Sequence, residues 1–361
     1  MTKLELPLDK VIIGDCVKVL DKFPERTVDL IFADPPYNLQ LQNDLWRPNM
    51  TKVDPVDETW DQFDSFGDYD QFTRDWLVAC RRVLKDTGTL WVIGSYHNIH
   101  RVGTILLDLD YWILNEIVWI KSNPTPNFKG TRFANAHETL IWAQKEKGGR
   151  YTFNYRQMKK HNSNKQMRSD WRFPIVSGTE RLVDSNGEKA HPTQKPEALL
   201  ERILQSSSNP GDVVVDPFFG TGTTGAVAKR LRRHWIGIER DEEYVKVARK
   251  RISAIVPQTN EQLVLNEKRH DIRIPFGALL ERGLIQPGQT LTFGKKGEQS
   301  AVVLANGHLR WNGQEGSIHA IGRLITGSPC NGWEHWHTTN DAGQRVAIDF
   351  FRAQIRREAP I

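Results

Sequence analysis

The chain has 361 residues, with Lys and Arg at 49 against Asp and Glu at 44, a formal net charge of +5 and a pI near 9.0. That length accommodates one large core plus a smaller domain, and the positive balance suits a polyanionic partner without requiring one. Cys16, Cys80 and Cys330 are odd in number and far apart, which argues against a disulfide framework; no apolar run reaches bilayer length and the opening "MTKLELPLDKV" lacks a signal-peptide profile, so a cytoplasmic location is expected.

"VIIGD" (11–15) and "VDLIFAD" (28–34) are short apolar runs that end in an acid and read as strands. Between them, "CVKVLDKFPERT" spaces Val17, Leu20 and Phe23 as a helix does. "FTRDWLVACRRVLKD" reads as an amphipathic helix closed by Gly88, followed by the buried strand "TLWVIGS". "VGTILLDLDYWILNEIVWIK" and "HETLIWAQK" supply another helix and two strands. The alternation predicts an α/β fold with a parallel sheet covered on both faces, whose ligands sit beyond the carboxyl ends of the strands. Asp15 and Asp34 fall at such ends.

From 145 to 172 the periodicity fades and basic residues, Lys160 and Arg168 among them, outnumber Glu146 and Asp170. The segment reads as a poor sheet element. Its charge, mixed with Tyr151, Phe153, Tyr155 and Trp171, offers phosphate-neutralising and stacking groups, a solvated loop being the alternative. "HPTQKPEALLERILQSS" then gives a helix with Pro196 near its first turn. "DVVVDPFFGTGTTGAVAKRLRRHWIGIERDEEYVKVARKRI" reads strand, glycine loop, helix, strand, helix. Residues 256–275 form a polar linker. Residues 276–361 form a small α+β domain, with Asn-Gly turns at Asn306-Gly307 and Asn312-Gly313 and helices near 276–283, 317–326 and 346–357.

Gly220-x-Gly222-x-x-Gly225 lies between a strand and a helix, and Glu239 ends the next strand, where an acid can hold the hydroxyls of a ribose. An adenosine-type ligand fits this pattern. So do a nicotinamide or flavin enzyme and, for the isolated hexapeptide, glycines that serve close packing alone.

The order of the motifs discriminates. "DPPY", "HPTQKP" and "DPFFGTGTT", within residues 10–255, resemble the signatures of the circularly permuted beta class of DNA amino-methyltransferases. "GSIHAIGRLITG" and "PCNGWEHWH" resemble the domain appended to the cell-cycle-regulated adenine methyltransferases that modify GANTC sites. The resemblance implies a Rossmann-like, mostly parallel sheet with an antiparallel strand, and S-adenosyl-L-methionine as cofactor. It further implies a catalytic domain over 1–255 with a target-recognition insertion at 145–190, a DNA-binding accessory domain at 276–361, double-stranded DNA as partner, and a homodimer. No membrane partner and no metal are expected, Cys330, His335 and His337 being too few for a zinc site.

The resemblance also implies roles. Asp34 and the Pro35 carbonyl would each accept one hydrogen of an adenine N6 amine, with Pro36 stiffening the turn and Tyr37 stacking on a base flipped out of the duplex. In this superfamily a Ser at position 34 marks cytosine-N4 enzymes, so the acid favours adenine. Asp15 or Cys16 would contact the cofactor's adenine, the alternative for Asp15 being a helix cap. Lys195 and the following helix N-terminus would hold the methionine carboxylate, and Phe218 would face the sulfonium. Asp216, Gly220, Gly222, Thr223, Thr224 and Glu239 complete the cofactor loop. Asn123, Lys160, Arg168 and Trp171, and in the C-terminal domain Ser317, His319, Asn331 and Trp333, are the expected DNA contacts. The rival readings are a Rossmann-type oxidoreductase, a cytosine-N4 methyltransferase and a non-catalytic DNA-binding module.

Overall fold

The runs rich in Val, Ile and Trp fold as strands and the amphipathic segments as helices, in the order β1 (Lys10–Ile13), α1 (Cys16–Leu20), β2 (Val28–Ala33), β3 (Leu45–Trp46), β4 (Lys52–Val53), α2 (Phe66–Val83), β5 (Leu84–Gly94), α3 (Ile99–Asp108), β6 (Trp112–Lys121), β7 (His137–Gln144), α4 (Tyr155–Lys160), β8 (Asp170–Phe173), α5 (Glu197–Ser207), β9 (Val213–Asp216), α6 (Thr223–Arg230), β10 (His234–Glu239) and α7 (Glu242–Ser253). This computed structural model describes residues 5–39, 45–46, 52–53, 61–127, 130–183, 187, 189–259, 274–294, 297–340 and 342–358. It divides into two units, Met1–Glu267 and Lys268–Ile361. Most of the expected linker lies outside the described residues.

The first unit is built on an eight-stranded sheet in the order β1-β10-β9-β2-β5-β7-β6-β8. β7 runs antiparallel to both its neighbours, β5 and β6; the other pairings are parallel. This is the expected mostly parallel α/β sheet with its antiparallel strand. Its two faces bury separate apolar clusters. Leu20, Trp76, Leu77 and Val102 from α1, α2 and α3 cover one face; Leu199, Ile203, Val227 and Ala248 from α5, α6 and α7 cover the other. Among the described residues no helix is long and apolar enough to cross a membrane.

Two local expectations are corrected. Gly88 does not close α2: that helix is capped by Ser65, whose hydroxyl accepts from the Asp68 amide, and ends at Val83. Gly88 lies inside β5, where a Cβ would come 3.0 Å from the Val28 carbonyl oxygen; the missing side chain admits the strand next to the register shift between Val28 and Leu30. Residues 145–172 are not free of the sheet either. Asp170–Phe173 pairs with β6 as its edge strand, and Asn154 ties the preceding loop to α5 by donating to the carbonyls of Gln205 and Ser208, both at 2.9 Å.

The second unit has a six-stranded antiparallel sheet of β11 (Thr290–Phe293), β12 (Gln299–Val303), β13 (Leu309–Trp311), β14 (Gln314–Gly316), β15 (Trp336–Thr339) and β16 (Arg345–Ala347), in the order β14-β13-β12-β11-β15-β16. Helices span Gly277–Glu281, Ile318–Thr326, Gly332–His335 and Asp349–Glu358. Asn312 and Gly313 take φ of +46° and +80°, the left-handed pair that a two-residue hairpin requires. Trp336 is fully buried at the centre of this core, among Leu291, Leu309 and Ile321.

Candidate active site at the carboxyl ends of the strands

Asp34 follows the last residue of β2, and Asp216 ends β9 beside it. From β9 the chain crosses through α6 to β10 on one side of this pair, and from β2 through α2 to β5 on the other. The two acids therefore stand at the switch point where an open α/β sheet forms its ligand crevice. A cavity of about 590 Å³ opens there, lined by Asp34, Pro35, Pro36, Tyr37, Cys16, Lys195, Asp216, Phe218, Gly220, Thr223, Thr224 and Glu239.

One end of the cavity is a chain of charges. Lys195 Nζ lies 2.6 Å from Asp34 Oδ2. The Tyr37 hydroxyl lies 3.1 Å from Asp34 Oδ1 and 3.1 Å from Glu138 Oε2, and Lys121 Nζ lies 2.8 Å from Glu138 Oε1. Two lysines thus bracket two carboxylates joined by one phenol. Burial pushes the Asp34 carboxyl above its ordinary range, with Lys195 opposing the rise. Burial acts the same way on Glu138, but the charges of Lys195 and Lys121 outweigh it and hold that carboxyl low. Lys195 is itself pushed up, the pull of Asp34 and Glu138 exceeding the cost of burying its charge.

The backbone of the Asp-Pro-Pro-Tyr turn is clamped separately. Asp61, 3% exposed, accepts the amides of Tyr37 at 2.5 Å and of Asn38 and Leu39 at 2.9 Å each. The Tyr69 hydroxyl donates to the Pro36 carbonyl at 2.9 Å. Prolines remove conformational freedom, and these bonds fix what remains.

At the other end, Glu239 accepts the amide of Gly220 on Oε2 at 2.7 Å and those of Arg240 and Asp241 on Oε1 at 2.7 and 2.9 Å. Gly220 has φ +51°, and a Cβ there would sit 3.3 Å from His191 Nε2, so the loop is a cradle that a side chain would narrow. Asp216 accepts from the Phe218 amide at 2.9 Å and the Thr224 hydroxyl at 2.6 Å, and burial pushes its carboxyl up to about 7. Thr223 accepts from Arg251 at 2.9 Å. Phe218 packs edge-on against Trp76 at 5.3 Å, and Cys16 is buried, its thiol pushed up to about 12 by burial.

Several expected site residues are employed elsewhere. Asp15 caps α1 by accepting the Lys18 amide at 3.1 Å and pairs with Arg240, outside the cavity lining. Gly222 is the left-handed cap of α6; a Cβ there would lie 2.9 Å from Ala248 Cβ, so close packing explains it. Phe219, next to Phe218, is core, stacked on Trp235 at 5.5 Å. Lys195, expected at a methionine carboxylate, reaches Asp34 instead. Asn123 Oδ1 accepts the Ile175 amide at 2.7 Å. Trp171 is 5% exposed and shielded by Arg202, 5.3 Å above its ring, so it presents no stacking face. Arg168 is exposed and forks onto Asp170 at 2.8 and 3.1 Å, and Lys160 is exposed at the end of α4.

In the second unit, Ser317 and Asn331 are helix caps, accepting the amides of Ala320 and Trp333. His319 Nδ1 accepts the Gly332 amide at 3.1 Å. Trp333, 6% exposed, lies in the core beneath Arg352 at 4.4 Å. Sequence reading passed over Asp61 and Tyr69, and singled out neither Lys121 nor Glu138, although they end the stretch 121–138 that reads as a second wall of the target pocket. Glu138 carried one usable signal: on a strand running antiparallel to the rest, an acid near the start lies at the same edge as the acids that end the parallel strands.

Comparison with known proteins agrees with this geometry. Residues 28–250 match the family model for N6_N4 DNA methylases, and residues 257–359 match that for the Restriction Enzyme Adenine Methylase Associated domain. The chain belongs to the N6_N4 DNA methylase family: it is a DNA methyltransferase that uses S-adenosyl-L-methionine. It is 46% identical over 331 residues to the type II methyltransferase M.HinfI of Haemophilus influenzae, covering 91% of this chain and 92% of that protein. It is 43% identical over 258 residues to the type II methyltransferase M2.DpnII of Streptococcus pneumoniae, covering 70% and 94%. The structure resembles the M1.HpyAVI-SAM complex with a TM-score of 0.50 at 27% identity, over 67% of this chain and 98% of the other. It shares the fold of the cytosine-N4-specific PvuII DNA methyltransferase with a TM-score of 0.54 at 21% identity, over 72% and 93%.

Proposed function

We propose that this methyltransferase modifies the N6 amine of a flipped adenine, within GANTC sites of double-stranded DNA. The observation that carries the reading is a shared cavity: the Asp-Pro-Pro-Tyr turn and the Gly220–Glu239 cradle line the same hollow. The residues present fit the cofactor. Glu239, oriented by three amides, suits the ribose hydroxyls, the open backbone at Gly220 admits the ligand closely, and the Phe218 face suits a cation. S-adenosyl-L-methionine supplies an electrophilic methyl group on its sulfonium.

The rest is done by the protein. An adenine amine is a weak nucleophile because its lone pair is delocalised into the ring. Asp34 and the Pro35 carbonyl accept its two hydrogens, draw the nitrogen toward tetrahedral geometry and aim the lone pair into the cavity. Asp61 and Tyr69 hold these acceptors still. Lys195 keeps Asp34 ionised against the burial that would protonate it. Tyr37 offers its ring to the extruded base, a contact worth about 1–3 kcal/mol.

Adenine is favoured over cytosine by the acid at position 34 and by the adenine-methylase-associated match over 257–359. GANTC is favoured by the near full-length similarity to M.HinfI and by the resemblance of the C-terminal block to the domain of GANTC-modifying enzymes. The second unit serves as a DNA-binding accessory, and the working form is a homodimer. Labelled cofactor incubated with duplexes that contain or lack GANTC, followed by digestion to nucleosides, tests the reading. Label on N6-methyladenine from GANTC duplexes alone is expected; label on cytosine, or equal label on every duplex, overturns it.

A further inference from the structure

A phenol carries one hydrogen, and ionised carboxylates can only accept. The Tyr37 oxygen is nevertheless 3.1 Å from Asp34 Oδ1 and 3.1 Å from Glu138 Oε2, so its hydrogen can serve one acid at a time. The two settings are not equivalent for catalysis. With the hydrogen on Asp34, that carboxylate is engaged at both oxygens, by Tyr37 on Oδ1 and by Lys195 on Oδ2. With the hydrogen on Glu138, Oδ1 of Asp34 is relieved of a competing donor and is the stronger acceptor for an incoming amine, each carboxylate oxygen having room for two bonds.

We propose that Glu138, held by Lys121, is a positioning residue for methyl transfer: it takes the Tyr37 hydrogen away from Asp34 when the target amine arrives. The inference rests on the reading of Asp34 as the acceptor of an adenine N6 hydrogen. Two features equip Glu138 for the task. Lys121 occupies its other oxygen at 2.8 Å and leaves Oε2 facing the phenol. The charges of Lys195 and Lys121 keep the carboxyl ionised despite burial, so it remains an acceptor at neutral pH. β7 contributes the placement, since its antiparallel course brings residue 138, near its start, to the edge of the sheet where β2 ends.

The substitution Glu138→Gln reverses the polarity of the contact. Lys121 retains the amide oxygen, the amide NH2 turns to the Tyr37 oxygen and donates to it, and the phenol hydrogen is left on Asp34. Asp34 then meets the amine with Oδ1 already engaged. The loss must therefore depend on the hydroxyl, because Tyr37→Phe removes the hydrogen whose direction Glu138 controls.

The test is single-turnover methyl transfer at saturating cofactor and GANTC duplex in four proteins: native, Glu138→Gln, Tyr37→Phe and the double variant. In the native background Glu138→Gln is expected to slow transfer about tenfold or more, the scale of a hydrogen bond to a charged group. In the Tyr37→Phe background it is expected to change the rate less than about twofold, with cofactor affinity unaltered throughout. An equal loss in both backgrounds, or no loss in the native one, overturns the proposal. Should Glu138→Gln not accumulate as folded protein, Lys121→Met takes its place: it strips Glu138 of one of the two charges that hold it ionised and of the contact that fixes Oε1, weakens it as acceptor of the Tyr37 hydrogen, and the same hydroxyl-dependent loss is expected. Native protein that labels adenine, and loses that activity on Asp34→Asn, keeps the adenine reading intact even where the cycle fails.

Discussion

Lys195 Nζ stands 2.6 Å from Asp34 Oδ2, joining two motifs that lie 161 residues apart in the chain. With 8% and 17% of their side chains exposed, neither charge has enough water to stand alone. Lys195→Met leaves Asp34 buried and unpaired, and is expected to cost about 3–5 kcal/mol in urea unfolding. Adding Asp34→Asn should return part of that loss, because the remaining group is neutral.

The same pair sets a pH dependence of activity. In the proposed role Asp34 must be ionised for transfer, and burial already raises its carboxyl while Lys195 restrains it. Removing the lysine raises it further. In Lys195→Met, the acid limb of the rate profile is expected to move to higher pH than in the native enzyme, measured as single-turnover rate against pH.

Asp61 is expected to act on rate rather than on cofactor binding. Its Oδ1 takes two amides of the turn and its Oδ2 takes one. Asp61→Asn keeps one acceptor oxygen and sets an NH2 against a backbone N–H, so a loss of about tenfold to a hundredfold in transfer is predicted, consistent with a buried charged hydrogen bond. Titration calorimetry with S-adenosyl-L-methionine should show little change.

Asp216 makes a prediction about stability. Its folded carboxyl is raised from 3.8 to about 7 by burial, so the fold favours the protonated form. The contribution is fully present below the unfolded value and is lost as pH rises toward 7. Melting temperature should therefore fall between about pH 4 and pH 7 and level off above, and Asp216→Asn, which cannot titrate, should flatten that slope.

Trp171 was legible as an aromatic among basic neighbours, and that company suggested a DNA contact; Trp333 was expected at DNA through the resemblance of its domain alone. Composition does not say which way a side chain points. In β8 only four residues alternate, too few for a period of two to reveal that Trp171 faces the core. The contiguous features fared better. Asp34, Asp216 and Glu239 stand where strands end, and a strand end can be located from its own sequence. Glu138 and Asp61 act on Tyr37 from 101 and 24 residues away, and no local pattern encodes such a pairing. The parallel sheet followed from the alternation of elements; the small sheet of the second unit followed from its Asn-Gly turns, because left-handed backbone restricts residue choice.

A core role for Trp333 carries its own test. Trp333→Ala should lower the stability of the second unit by about 3–5 kcal/mol, seen as an earlier melting transition. Trp333→Phe should restore most of it and leave duplex binding near native.

The most direct measurement is the position of the target nitrogen in a crystal structure of the enzyme with a non-reactive cofactor analogue and a GANTC duplex. Adenine N6 is expected at about 3 Å from both the Asp34 carboxylate and the Pro35 carbonyl oxygen, with the base out of the stack. An N6 beyond hydrogen-bonding distance of both acceptors would contradict it.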